Sequence, residues 1–434
     1  MKKILLALAL ALLAMSALFA TGSDEKTAES EIATSLSGPV EIEFWHAMSS
    51  KLGQTVQSLA DNFNATIGKE MGITVTPLYQ GSYNDLKQKI TAAIKAGIAP
   101  SVAQAYPDWV AEYMQADVVV DLDDYINDSK VGMSDFNDIF PGYRDENSQY
   151  SDDGTFYSLP FNKSTEVIFY NKTFFEKNNL SVPKTWSDVE AVSKKIMELT
   201  GKPGFGYDSL ANYMITMIRQ FGGKYTDSKG NIYFNQGDAA VKAIELYKRN
   251  FDAGFWRIAG EDMYMSGPFN NQDCYMYVGS TAGAAYVGSD LFTWDSAVLP
   301  YIDANKKAAI QQGTNIFLMD QDKDPEEVYA AYVFAKYLVS KESNFIWATN
   351  TGYLPIRQSV VDSQEYKDYL KTTKDTTKTT GPAQGSYYFY DPGFYSPDYT
   401  SSDARTAIQG ALEDALLNGT APAAAIKAAY DKLK

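Results

Sequence analysis

Asn162, Lys163, Ser164 and Thr165 place four hydrogen-bonding side chains inside a run that otherwise reads as a buried strand, from Pro160 to Asn171. An unpartnered polar group in an apolar interior costs on the order of a few kcal/mol, so such an island marks backbone that passes a cleft where something polar binds. The residues available for enzyme chemistry are fewer. His46 is the sole histidine and Cys274 the sole cysteine, so no metal site built from several His or Cys ligands is expected, and no cofactor either. Gly279-Ser280-Thr281-Ala282-Gly283 has the outline of a nucleophile elbow, but threonine stands at the nucleophile position and His46 would have to be its base; a glycine-rich turn is the better reading. Gly204-Phe205-Gly206 lacks the third glycine of a dinucleotide loop, and no GxxxxGK[ST] run exists. Asp121 to Asp135 is acid-rich with spacing that does not fit a calcium loop. A carboxylate pair for glycoside hydrolysis is the one enzyme chemistry that this many acids leave open.

The chain starts Met1-Lys2-Lys3, continues apolar from Ile4 and ends that run at Ser16-Ala17-Leu18-Phe19-Ala20, the plan of a secretory signal over residues 1–20. Residues 21–38, rich in Ser, Thr, Glu and Ala, read as a flexible tether. The only cysteine lies far from the cut, so lipid anchoring through this leader is not expected. The formal net charge is −16, and losing Lys2 and Lys3 with the leader makes it 36 − 54 = −18. A chain so acidic repels nucleic acid and anionic lipid, and without a disulfide its stability must come from packing, over a length that suits two or three domains.

The elements that must hold the polar island follow from periodicity. Val40-Glu41-Ile42-Glu43-Phe44 alternates as a strand does, and Leu52, Val56, Leu59 and Phe63 share one helical face. A second strand spans Ile73 to Tyr79, and Leu86, Ile90, Ala93 and Ile94 line a helix stopped by Gly97. This alternation predicts a parallel sheet covered by helices. Later, Thr185-Trp186-Ser187-Asp188 is a capping box, Thr226 to Asn231 a hairpin turn, and Asp324-Pro325 opens a long helix toward Leu338. Lys371 to Thr380 reads as a low-complexity loop, Tyr387 to Tyr399 as an aromatic tract, and Asp403 to Leu417 and Pro422 to Lys434 as two closing helices. Ligands of open α/β sheets sit at the carboxyl ends of strands and in interdomain clefts.

Five motifs, FWHAM at 44–48, LADNFNAT at 59–66, YQGSY at 79–83, PFNKSTEVIFYNK at 160–172 and TGYLPIR at 351–357, together resemble the extracellular solute-binding proteins of ABC importers. The similarity is to the family 1 sugar-binding group, nearest its glycerol-3-phosphate-binding branch, and covers 40–353 well and the remainder more loosely. It implies an α/β fold of the periplasmic-binding-protein type II kind, with lobe 1 at 39–161 plus 313–360 and lobe 2 at 162–312 plus 361–434. The lobes would close over a solute and dock on the membrane subunits of a permease. No catalysis and no nucleic-acid partner are expected, and a monomer is. The alternative is a secreted carbohydrate-active hydrolase.

Position by position, the resemblance puts Tyr83, Ser164, Gly313 and Tyr353 in the cleft, with Trp45, His46, Tyr213, Ser280 and Thr281 as further contacts. For His46 and Tyr213 ordinary packing competes with solute contact, and Trp294 is read as packing a strand end. Two departures bear on the solute. Pro107 follows Tyr106 where the branch has glutamate, which leaves Asp108 to supply the carboxylate. The phosphate-binding arginine near the C-terminus aligns with Tyr395-Ser396-Pro397, so Lys163, and next Arg357, are its expected replacements.

Overall fold

The computed structural model describes residues 32–434; the leader at 1–20 and most of the tether lie outside them. Ten strands form one sheet in the order β2-β1-β3-β9-β4-β7-β5-β6, with β10 beside β9 and β8 beside β4. In chain order they are β1 Val40–His46, β2 Ile73–Tyr79, β3 Val102–Ala105, β4 Leu159–Asn171, β5 Phe205–Tyr207, β6 Trp256–Ile258, β7 Met276–Ser280, β8 Trp294–Ala297, β9 Ala309–Leu318 and β10 Tyr388–Phe389. The outer groups β2-β1-β3 and β7-β5-β6 are parallel, as the alternation of strands and helices requires. The sheet as a whole is mixed, because β9 runs antiparallel to β3 and β4, and β4 antiparallel to β7, in its middle. The parallel pairing expected from the first strands and helices is present in β1 and β2 and does not extend to the centre: the central strands arrive after long excursions, where local alternation carries no directional signal.

The helices that position the site are α1 Ser50–Ala65, α2 Tyr83–Ala96, α3 Pro107–Tyr113, α4 Pro141–Asn147, α5 Trp186–Thr200, α6 Leu210–Gln220, α7 Ala239–Asp252, α8 Pro325–Leu338, α9 Lys341–Asn350, α10 Thr377–Thr380, α11 Ser401–Leu417 and α12 Pro422–Asp431. Capping boxes start three of them: Ser82 with Asp85, Thr185 with Asp188, and Thr400 with Asp403 each satisfy orphan amides reciprocally. Asp324 caps α8 by accepting from the Glu326 amide. The hairpin at 226–231 is held by the Asp227 carboxylate, which accepts from the Lys229 and Asn231 amides at 3.0 Å. Lys371 to Thr380 is not a loop: a helix at Gln364–Thr372 takes its start and α10 its end, and Lys378 is buried. Composition concealed this because the segment's order comes from contacts made by Lys378 with distant backbone.

One apolar core packs α5, α6, α7, α11 and α12 around Trp186, Tyr207, Tyr213, Tyr247 and Trp256; another packs Leu86, Ile90, Trp109 and Val110 against Ala103 and Phe317. Strand β4 belongs to both surroundings. Residues 159–165 pair with β9, residues 166–170 pair with β7, and all thirteen of its residues are buried.

Candidate functional site

The polar island on β4 finds its partners inside the protein. Asn162 accepts from Thr314 Oγ1 and from Gln104 Nε2 at 3.3 Å, and donates to Tyr83 Oη at 3.2 Å. Ser164 Oγ accepts from Ser280 Oγ at 2.9 Å, and Thr165 Oγ1 donates to the Ile310 carbonyl at 2.9 Å. Thr281 Oγ1 accepts from the Thr165 amide at 3.4 Å. Lys163 is fully buried: its ammonium pairs with Glu146 and also donates to the Gly313 carbonyl at 3.3 Å and Asn315 Oδ1 at 3.2 Å. Three donors meet three acceptors, so Lys163 has none left for a phosphate. Arg357 is likewise buried, held by Asp135 at 2.8 Å, Asp138 at 3.2 Å and the Val339 carbonyl. Both cations expected to replace the branch arginine are structural, since a charge taken from water must be fully partnered.

The backbone at this level is crowded enough to need glycine. Gly313 has φ +105°, and a Cβ there would lie 1.8 Å from the Asn162 carbonyl oxygen. Beside it the 351–354 segment crosses β4, with the Leu354 amide donating to the Lys163 carbonyl at 2.8 Å. Lys378 fixes this segment from below by donating to the Thr351 and Tyr353 carbonyls at 2.7 and 2.6 Å. Burial pushes its ammonium down to about 8.

Tyr83 and Tyr353 meet beside Asn162, their hydroxyls 3.3 Å apart. From them an aromatic wall extends both ways. Tyr83 lies 5.0 Å from Tyr106, which lies 5.2 Å from Trp109; Tyr353 stacks on Trp347 at 5.5 Å, and Trp347 on Phe161 at 4.6 Å. Pro107 at the first turn of α3 turns Asp108 toward the start of α11, where it accepts from Ser402 Oγ. Ser402 also accepts from Lys87 at 3.2 Å, and Gly393 lies flat on the Pro107 carbonyl. The segment 391–402 therefore closes on α3 directly.

The second turn of α11 carries Arg405, a residue that the motif alignment missed because it falls beyond Tyr395-Ser396-Pro397. Its guanidinium donates to Asp391 Oδ2 and to Asn212 Oδ1, each at 2.5 Å. Asn212 in turn donates to Glu166 at 3.0 Å, which also accepts from Tyr207 at 2.5 Å. Burial raises Glu166 to about 7 against the pull of these two hydrogen bonds, and burial raises Asp208 nearby to about 7 as well. Arg405 keeps 29% of its side chain exposed and uses only two of its five N–H donors. Around it, Asp391 Oδ1 and the buried Tyr225 hydroxyl have no partner among the described residues.

Other expected contacts have partners of their own. Tyr213 is buried within the larger core and donates to the Ala243 carbonyl at 2.9 Å, so packing explains it. His46 is buried at the end of β1, accepts from the Met48 amide at 3.2 Å, and is pushed down to about 4 by burial; it is neutral at ordinary pH. Trp45 donates to Glu43 at 2.8 Å, Ser280 caps the turn after β7, and Trp294 packs on Phe169. Among the described residues no cluster of three His, Cys, Asp or Glu could hold a metal, and no helix is long and apolar enough to cross a membrane.

A mixed sheet with two long central strands passing between two packed helical groups is the periplasmic-binding-protein type II architecture, and solved structures agree. The chain superposes on UgpB from Mycobacterium tuberculosis in complex with glycerophosphocholine at TM-score 0.78, with 20% identity over 91% of this chain and 98% of that one. It superposes on the GacH receptor of Streptomyces glaucescens, solved unliganded and with acarbose, at 0.76, with 20% identity over 92% and 98%. In sequence it is 30% identical over 359 residues to the sn-glycerol-3-phosphate-binding periplasmic protein UgpB of Shigella flexneri serotype 5b, covering 78% of this chain and 79% of the relative. Residues 58–374 match the bacterial extracellular solute-binding protein family, and the chain belongs to it. It is a solute-binding component of an ABC importer.

Proposed function

We propose that this protein captures a small solute of the glycerol-phosphate or carbohydrate class outside the cytoplasmic membrane and delivers it to the permease subunits of its importer. Within that class a glycerol phosphate or its diester fits best. The observation that carries this is Arg405: a guanidinium with unused donors beside the unpartnered Asp391 Oδ1 and Tyr225 hydroxyl. Arginine donors suit phosphate oxygens, and carboxylates such as Asp108 and Asp391 suit a hydroxyl pair. The aromatic wall of Tyr83, Tyr106 and Tyr353 offers flat apolar faces to a carbon skeleton. In this reading lobe 1 (39–161 plus 313–360) and lobe 2 (162–312 plus 361–434) close over the solute, with β4, β9 and the 351–354 segment as crossings, and the protein acts as a monomer.

The relatives support the class, since one is named for sn-glycerol-3-phosphate and one was solved with glycerophosphocholine. The test is thermal stabilisation of the purified protein by sn-glycerol-3-phosphate, glycerophosphodiesters, and mono- and oligosaccharides, with product formation followed in the same samples. A ligand at 100 times its Kd stabilises by about 2.7 kcal/mol. We expect phosphate-bearing glycerol compounds to stabilise and to be recovered unchanged. Stabilisation by neutral sugars alone would replace the phosphate reading, and consumption of a sugar would move the protein to the hydrolases.

A further inference from the structure

A basic groove lies toward the far end of α6 from Asn212. Asn212 and Arg219 are seven residues apart on this helix, roughly 10 Å at 1.5 Å per residue. Here Arg219 in the last turn of α6 meets Lys306 and Lys307, from the approach to β9, across a groove of about 670 Å³. Tyr387, Tyr388 and Phe389 form its aromatic side, and no carboxylate lines it. Three cations share one groove in a chain of net charge −16. Among the described residues none of the three makes an ion pair or donates a side-chain hydrogen bond. The carboxylate whose charge reaches Arg219 is Asp391, and its Oδ2 is paired with Arg405.

Aromatic faces hold two of the three cations in place instead. Arg219 lies over Phe389 at 4.3 Å, and Lys307 sits 4.8 Å from Tyr301 and 5.7 Å from Tyr387. A guanidinium packed on a ring keeps its N–H edge free to bind an anion in the plane. The last carbonyls of α6 do not oppose an anion strongly, because the Gly222 and Gly223 amides already bond to those of Arg219 and Ile218 at 2.8 Å. The negative end of the α6 dipole accounts for one cation in its last turn, and not for two lysines brought by another segment.

We propose that this groove is a second binding site, for a small multiply charged phosphate compound, separate from the solute cleft. Pyrophosphate is the probe. Titration calorimetry in an Arg405→Gln background, which weakens any phosphate binding in the cleft, isolates the groove. We expect one saturable site in that background, weakening as salt rises toward about 0.15 M, and a loss of about tenfold or more when Arg219→Gln and Lys307→Gln are added, as removal of charge-assisted hydrogen bonds implies. Cleft-solute affinity in otherwise wild-type protein carrying the two groove substitutions should be unchanged, which also shows that the variant is folded. No saturable pyrophosphate binding in the Arg405→Gln protein, or binding that survives both groove substitutions, would overturn the proposal.

Discussion

Two cation–carboxylate pairs flank the central crossing, and they have opposite character. Lys163 with Glu146 is closed: the ammonium is fully buried and every donor has an acceptor. Arg405 with Asp391 is open: the guanidinium stays partly exposed, and an oxygen of its own partner is left without a hydrogen bond. A saturated pair in the interior holds structure, because removing either member strands a charge. An unsaturated one at an opening is prepared for a ligand, because the ligand completes what folding left incomplete. The motif that drew attention to β4 contained the first kind, and the second lay in a segment read only as a closing helix.

Breaking the closed pair should have the largest effect. Lys163→Met leaves Glu146 buried without its cation and should lower the unfolding free energy by about 3–5 kcal/mol, seen as a fall in denaturation midpoint; a soluble variant of unchanged stability that has lost solute affinity would instead make Lys163 a ligand residue. Arg405→Gln should do the reverse. Solute affinity should fall by about 1.5–3 kcal/mol, tenfold or more by calorimetry, with the unliganded midpoint little changed. A third, smaller effect tests the relay behind Arg405. Glu166 is raised from 4.5 to about 7, so the folded state holds its proton where the unfolded state has lost it. Its contribution is complete below pH 4.5 and is lost as pH rises through 7, with a slope of at most about 1.4 kcal/mol per pH unit. Unfolding curves between those pH values should show stability falling with rising pH, and Glu166→Gln should flatten that part of the profile. An unchanged slope would leave Asp208, raised to about 7 by burial, as the titrating group.

Much of the frame was legible beforehand. Val40 to Phe44, Ile73 to Tyr79, the helix ended by Gly97, the capping box at Thr185 and the start of α8 at Asp324 all stand where period and capping chemistry put them. These signals are local, and neighbouring residues suffice to produce them. The order of Lys371 to Thr380 was not legible, since Lys378 is fixed by carbonyls at 351 and 353. Tyr83, Tyr353 and Tyr213 were placed by the resemblance, and Tyr83 and Tyr353 do meet while Tyr213 packs in the core; Asp108, Lys163 and Arg357 were named where the chain departs from the branch, and the two cations are engaged by other residues.

By itself the sequence determined an acidic α/β chain of helices and strands in a recognisable order, with a polar island on a strand and family motifs around it. It could not say whether a charged residue in that island would be spent or spare. That depends on which acceptors fold against it, and Glu146 comes from α4 while Gly313 and Asn315 come from β9. Only the tertiary structure saturated Lys163 and left Arg405 with donors to offer, because hydrogen-bond satisfaction is a property of assembled neighbours and not of residue type.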